Sequence, residues 1–366
     1  MKKPIIWGLV VIVILAGLII WKIKHKEEIA ISIIKVGSIL PLSGDFAPFG
    51  EEILRGEQIA LAEAKNAGLN VEFLSEDDQS APNHSVSAAN KLVRNDKVNA
   101  VLTATMQEMK PIENTFKSGS TPLLVTWDSN DYIKNSSKNI FTIGFSTESA
   151  GRLMADYAFN TLKLRNVAVI NVLDDWSSII ANSFIDEFKK VGGNITFNEQ
   201  VAPDQKDFRT QIAKIKSTNA DGIYAPLFPT TIAPFVRQLR ELNSNAIFMT
   251  ADSFTQDEAN AAGTASEGVY FTNLYANDTR DLNIKYKSMF GKEPGASVFV
   301  SFGYDGIRTI IEAARIAKSD NITIRDAMTK VNISGTDTKI NFNGKQFSEK
   351  IEKLYKIQNG QIIEVK

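Results

Sequence analysis

From Ile33 onward the chain alternates between two spacings of apolar residues. Runs rich in Val, Ile and Leu, bounded by Gly, Pro, Asn or Asp, recur at 70–76, 98–104, 121–127, 139–145, 166–172, 194–199, 220–226, 246–251 and 268–273, and predict strands. Between them, apolar residues at three- and four-residue spacing predict helices over 83–95, 149–162, 177–191, 207–216, 231–242 and 298–317. Strands separated by helix-length segments make βαβ units, hence parallel sheets with helices on both faces. Most strand runs are apolar throughout, as strands buried on both faces should be. The units fall into two comparable runs, the first ending near Phe145 and the second opening at Asn166. After Asn273 long helices follow without strands, and short polar strands rich in Gly and Asn close the chain. The expected fold class is α/β, with two doubly wound lobes joined by short crossings.

The first unit sets the frame for the rest. Val36, Ile39 and Leu40 read as a buried strand that breaks at Pro41, which cannot donate a ladder hydrogen bond. A loop with Ser43, Gly44, Asp45 and Gly50 then enters a helix near Glu51. Along that helix Ile53, Gly56, Ala60 and Ala64 recur at helical spacing, the small residues suiting close packing on a sheet. Strand, loop and helix in this order put the loop at the carboxyl end of a parallel strand, where open α/β sheets bind ligands.

The other loops after strands repeat one motif, an aromatic at the strand end. Phe49, Trp127, Trp176 and Phe228 all follow strands, and Asp252 adds one carboxylate directly after a buried strand. Singly, each ring packs more often than it binds. Together they describe a mostly apolar pocket with few polar groups. Thr103-Ala104-Thr105-Met106-Gln107 leads into a helix, so it either seats an anion or simply caps the helix. Ser129 either meets a ligand or caps the next turn.

Composition narrows the function classes. At 366 residues two lobes are expected, and 43% hydrophobic with 23% charged residues describes a globular chain. A net charge of −1 with no basic stripe gives no footprint for nucleic acid. Without cysteine there are no disulfides, thiolate metal sites, thiol nucleophiles or lipidated cysteine. The only histidines are His25 and His84, and no phosphate loop, dinucleotide fingerprint or nucleophile elbow is present, so no cofactor is expected and an enzyme is disfavoured. Asp77-Asp78 lacks a third ligand at metal spacing, and no metal site is expected. Residues 4–23 are almost continuously apolar between lysine flanks. Twenty helical residues rise about 30 Å, the thickness of a bilayer core. Residues 1–28 therefore read as an uncleaved transmembrane anchor; a cleaved signal peptide is the alternative.

Several motifs in order carry a resemblance: Val36-Gly37-Ser38-Ile39-Leu40-Pro41-Leu42-Ser43-Gly44 with Phe49-Gly50 and Gly56, Glu76-Asp77-Asp78-Gln79, Asp174-Asp175-Trp176-Ser177, Asp207-Phe208, and Phe302-Gly303-Tyr304-Asp305. The chain from Ile33 onward resembles type I periplasmic binding proteins, in the branched-chain amino-acid (Leu/Ile/Val) family of ABC-transporter receptors. The resemblance implies lobe 1 from 33–145 with 274–337, lobe 2 from 146–273 with 338–366, and a multi-strand hinge. It implies that Phe49 covers the ligand side chain, that Thr105 or Met106 meets a ligand carboxylate, and that Trp127 and Ser129 meet the amino acid. Trp176 and Phe228 take aromatic positions in lobe 2, and Asp252 pairs with an α-ammonium. The implied function is an extracytoplasmic receptor that closes on an amino acid or similar zwitterion and delivers it to permease and ATPase subunits. Rings that often carry a hydroxyl in this family are Phe or Trp here, and first-lobe serines are replaced by Thr and Met, which bears on the ligand's identity. A membrane-tethered ligand sensor of the same fold is the alternative, and a hydrolase acting on small amides is a weaker one.

Overall fold

In the computed structural model, residues 33–365 are described apart from 45, 274–278, 337, 349 and 351. The apolar run at 4–23 lies outside the described residues; among those described, no helix is long and apolar enough to cross a membrane.

The first half builds β1 (Ile34–Leu40), α1 (Ala47–Asn66), β2 (Val71–Asp77), α2 (Pro82–Asn90), β3 (Ala100–Thr103), α3 (Met106–Lys117), β4 (Leu123–Val125), β5 (Asp128–Ser129), α4 (Asp131–Ser136), β6 (Ile140–Thr142) and β7 (Phe145–Ser146). Strands β2-β1-β3-β4-β6 form one sheet, parallel throughout. The second half continues with α5 (Thr147–Asn160), β8 (Asn166–Val172), α6 (Asp175–Lys190), β9 (Asn194–Val201), α7 (Arg209–Ser217), β10 (Gly222–Tyr224), α8 (Pro229–Glu241), β11 (Ile247–Thr250), α9 (Gln256–Ala262) and β12 (Tyr270–Asn273). The chain ends with α10 (Arg280–Phe290), α11 (Ser297–Asp320), α12 (Ile324–Met328), β13 (Asn332–Ser334), β14 (Lys339–Asn341), β15 (Lys353–Gln358) and β16 (Gln361–Val365). Its second sheet runs β16-β15-β12-β11-β10-β8-β9. Strands β12 to β9 are parallel, whereas β15 and β16 join antiparallel at the edge, a departure from the all-parallel expectation. A short turn at Asn359-Gly360 joins those two, so they pair as a hairpin, the connection antiparallel strands allow.

Each sheet has its own core. Val36, Leu102, Phe141, Ile307 and Ile340 belong to the first, and Ile170, Ile223, Phe248, Phe271 and Ile357 to the second. Ile340 and Phe342 pack in the first core, and β14 pairs with β13, so a lobe boundary at 338 falls inside this hairpin. The crossing comes later: Phe347 bridges Thr142 and Lys350 bridges Phe145 before β15 enters the second sheet. Buried Lys350 also bonds buried Asp305 of α11 at 3.1 Å, tying the crossing to the first lobe.

The close packing expected of Gly56 is real, but its partner is a helix. A Cβ on Gly56 would stand 1.9 Å from the Val300 carbonyl oxygen, and one on Gly303 would stand 1.9 Å from that of Ile53. Helices α1 and α11 therefore meet backbone to backbone through two glycines. In both sheets the strand order reverses beside the first strand, between β1 and β3 and between β8 and β10. These are the switch points where doubly wound sheets bind ligands.

Candidate functional site

The loops leaving β1, β3 and β4 meet those leaving β8, β10 and β11 around one cavity of about 80 Å³. One water needs roughly 10–15 Å³ of such space, so there is room for a small organic molecule, and a second cavity of about 250 Å³ shares Trp127, Asp252, Thr255 and Phe299 with it. Phe49, Thr105, Met106, Trp127, Trp176, Phe228 and Asp252 all line it. Ser129 does not. It is fully buried in β5, opposite Ser146 of β7, where the chain turns toward the second sheet. The turn of the backbone exposes Trp127 and Asp128 to the cavity and spends Ser129 on the crossing.

Six rings form a continuous wall. Trp127 lies 4.6 Å from Phe299 and 5.8 Å from Phe49. Phe46 lies 6.3 Å from Phe49 and meets Phe228 edge-on at 6.0 Å, and Phe228 stacks on Trp176 at 5.9 Å. The Phe46–Phe228 pair joins the loop after β1 to the loop after β10 and so closes the wall between the two halves. Edge-on and offset pairs at these distances suit the ring quadrupole. Phe46 and Phe299 were not singled out in the sequence. Phe46 was legible as a second ring in the loop that holds Phe49, but Phe299 sits at the start of α11, remote in sequence from every strand end.

The start of α3 is a helix terminus whose donors are already used. Glu108 accepts from the Thr105 N–H at 2.6 Å, Asp128 from the Met106 N–H at 2.9 Å, and the Thr105 hydroxyl from the Gln107 N–H at 3.1 Å. Thr105 and Glu108 thereby form a capping box. The helix-capping reading of this loop holds, with a buried carboxylate added. Across the cleft, Asp174 caps α6 by accepting from the Trp176 and Ser177 N–H groups. The Asp77-Asp78 pair is structural: Asp77 accepts from the Leu42 and Ser43 amides and the Ser43 hydroxyl, fixing the loop after β1. Among the described residues no group of three potential metal ligands occurs.

The acids of the cavity are held in unusual states. Asp252 is 7% exposed and its Oδ1 has no hydrogen-bond partner. Burial pushes its carboxyl up to about 7, opposed by its own backbone amide and by the Trp127 and Trp176 side chains. Glu352, on the crossing before β15, is 3% exposed with both oxygens unpartnered; burial and then the charge of Asp252 push it well above the ordinary range. Burial also raises Asp128 to about 7, against the Met106 N–H and with the charges of Asp252, Asp174 and Glu148. Desolvation thus favours the protonated forms, and a cation in the cavity would reverse the preference.

The comparisons with known proteins agree with this geometry. A Leu/Ile/Val-binding protein of Rhizobium johnstonii is 26% identical over 90% of this chain and 93% of its own. The solved structure of a leucine-binding protein from Thermotoga maritima superposes with a TM-score of 0.80 at 25% identity, covering 91% of this chain and 98% of that one. An ABC-transporter solute-binding protein of Rhodopseudomonas palustris, solved with 3,4-dihydroxybenzoic acid, shares the fold with a TM-score of 0.78 at 21% identity, covering 91% and 96%. The periplasmic binding protein family model matches residues 33–357, and the chain belongs to that family.

Proposed function

We propose that this protein is the extracytoplasmic substrate-binding subunit of an ABC importer, closing two lobes on an amino acid or similar small ammonium-bearing molecule and delivering it to permease and ATPase subunits. The observation that carries the reading is the convergence of Phe46, Phe49 and Trp127 from one half with Trp176, Phe228 and Asp252 from the other around one cavity. Neither half alone encloses a ligand. A ligand touching both stabilises the closed form by contacts absent from the open form, which is what a ligand-driven population shift requires. The leucine-binding name of the Thermotoga maritima neighbour supports an amino-acid ligand. The reading is of a binding protein and not an enzyme.

The proposed lobes are 33–145 with 274–337 and 146–273 with the chain's end, the last boundary moved past the β13–β14 hairpin to the crossing at Phe347 to Lys353. Residues 4–23 are proposed to anchor the protein to the outer face of the cytoplasmic membrane. A receptor tethered in this way stays beside its permease.

Asp252 is proposed to receive the ligand's ammonium, a charge-assisted hydrogen bond in a site shielded from water. A thermal-shift screen of the full-length chain with amino acids, amines, amides and aromatic carboxylates identifies the ligand, and calorimetry then compares Asp252→Ala. The expected loss is at least tenfold in affinity. Equal affinity in the variant would remove Asp252 from the site.

A further inference from the structure

We propose that the cleft selects a small organic cation, an apolar amine or alkylammonium lacking a free carboxylate. This rests on the cleft being the ligand site, and of the ligands that reading admits it takes the ammonium-bearing molecules and excludes the amino acids.

The first ground is charge. Among the described residues, the charged side chains lining the cavity are Glu108, Asp128 and Asp252, all acids, and no Lys, Arg or His lines it. The nearby base on α3, Lys110, reaches out to Asp175 at 2.5 Å instead. A zwitterion in this cavity would bring its carboxylate into the field of three buried acids, with no cation among the described lining residues to answer it.

The second ground is the missing carboxylate seat. At the start of α3 the Thr105, Met106 and Gln107 N–H groups are bound by Glu108, Asp128 and Thr105. At the start of α6 the Trp176 and Ser177 N–H groups are bound by Asp174. A ligand carboxylate would have to evict Asp128 or Thr105 to reach the terminus of α3. The protein has placed its own carboxylate where an anionic group would otherwise dock.

The third ground is the unmet acceptor. Asp252 is more than nine-tenths buried, lines the cavity, and offers an Oδ1 with no partner. Such a group costs free energy until a donor or cation reaches it. The walls suit the same ligand: Phe46, Phe49, Trp127, Trp176 and Phe228 line the cavity with apolar ring surface that takes up its alkyl groups.

Proton linkage adds a signature. Asp128 faces Asp252, Asp174 and Glu148 and raises Glu108, while Asp252 faces Glu352 and Tyr224. With the two cavity aspartates pushed up to about 7, a cation must drive off protons to bind at low pH. Its affinity therefore rises with pH, and that of an anion falls.

The test is calorimetric titration of the full-length chain in lipid nanodiscs with 3-methylbutylamine, leucine and 3-methylbutanoate, which share one alkyl group and differ in charge. The amine is expected to bind at least tenfold tighter than leucine, with the butanoate weakest. Amine affinity is expected to rise at least tenfold from pH 5.5 to pH 8. In Asp128→Asn, which keeps an acceptor for the Met106 N–H but loses the charge, the amine's lead over leucine is expected to shrink at least tenfold. Leucine or the butanoate binding as tightly as the amine overturns cation selection and leaves the cleft a ligand site. No heat and no tryptophan fluorescence change with any of the three overturns cation selection, and the ligand-site reading falls with it only if the wider thermal-shift screen is also empty.

Discussion

At the scale of single residues, the protein's most unusual feature is its set of buried acids. Burial raises Glu57 to about 8 against its bond from the Ser38 hydroxyl, and raises Glu108 to about 7. Asp128 and Asp252 also reach about 7, and burial pushes Glu352 well above the ordinary carboxyl range. Unfolded carboxyls titrate near 4, so from about pH 4 to pH 8 the native chain holds protons that the unfolded chain has released. Stability from these groups is complete below about pH 4 and is lost as pH rises through 7 and 8. Surface carboxylates with lowered values, such as Glu199 beside Lys214, act only below this window. The ligand-free protein should therefore melt several degrees higher at pH 5 than at pH 8 by calorimetry, and Glu352→Gln should flatten the difference. A melting point that is level or rises toward pH 8 would refute this account. Asp252 could be read from the sequence because it follows an apolar strand run. Asp128 was passed over, although it adjoins Trp127, because nothing local says which of Trp127, Asp128 and Ser129 faces the cavity. Glu352 gave no signal at all, since only the chain crossing brings it into the field of Asp252.

At the scale of elements, periodicity located most strands and helices, with Asn166–Val172 matching end to end. It missed the short helices α4, α9 and α12, and the run near 83–95 divides into α2 and a π-helical turn at Lys91–Asn95. Such one-turn changes leave apolar spacing nearly unaltered. The contact between α1 and α11 was half legible: the small residues announced close approach, but spacing cannot say whether a sheet or a helix approaches. Because the Gly56 and Gly303 positions face backbone oxygens at 1.9 Å from a built Cβ, no side-chain rearrangement can make room. Gly303→Ala must push the helices apart, at a cost of about 1–3 kcal/mol for overpacking. At roughly 2–4 °C per kcal/mol for a lobe of this size, the melting point should fall by several degrees. A melting point within one degree of the parent would show that the contact yields without penalty.

At the scale of the whole molecule, two kinds of contact span the cleft. Gln107 donates to Asp174 at 2.7 Å and Lys110 pairs with Asp175 at 2.5 Å, with both partners of the ion pair about half exposed. Exposed pairs contribute only about 0–1 kcal/mol, so Lys110→Ala should change ligand affinity less than about fivefold. The Phe46–Phe228 contact is apolar and partly shielded, and ring truncation removes both area and an edge-on interaction. Phe46→Ala should weaken binding at least tenfold by calorimetry. If the ion-pair variant proved the more damaging, closure would be electrostatic and the ring wall secondary.

The sequence by itself determined the alternation of strands and helices, the parallel sheets and the strand-end positions of four rings and one acid, since these depend on local spacing and on the edge of a sheet that a βα loop must occupy. Only the tertiary structure decided which loops face one another, that Asp128 fills the terminus of α3, that Ser129 turns away, and that Asp252 and Glu352 are both buried within reach of each other's charge. Those outcomes depend on groups remote in the chain competing for the same donors and the same dry volume, and no local pattern of residues records that competition.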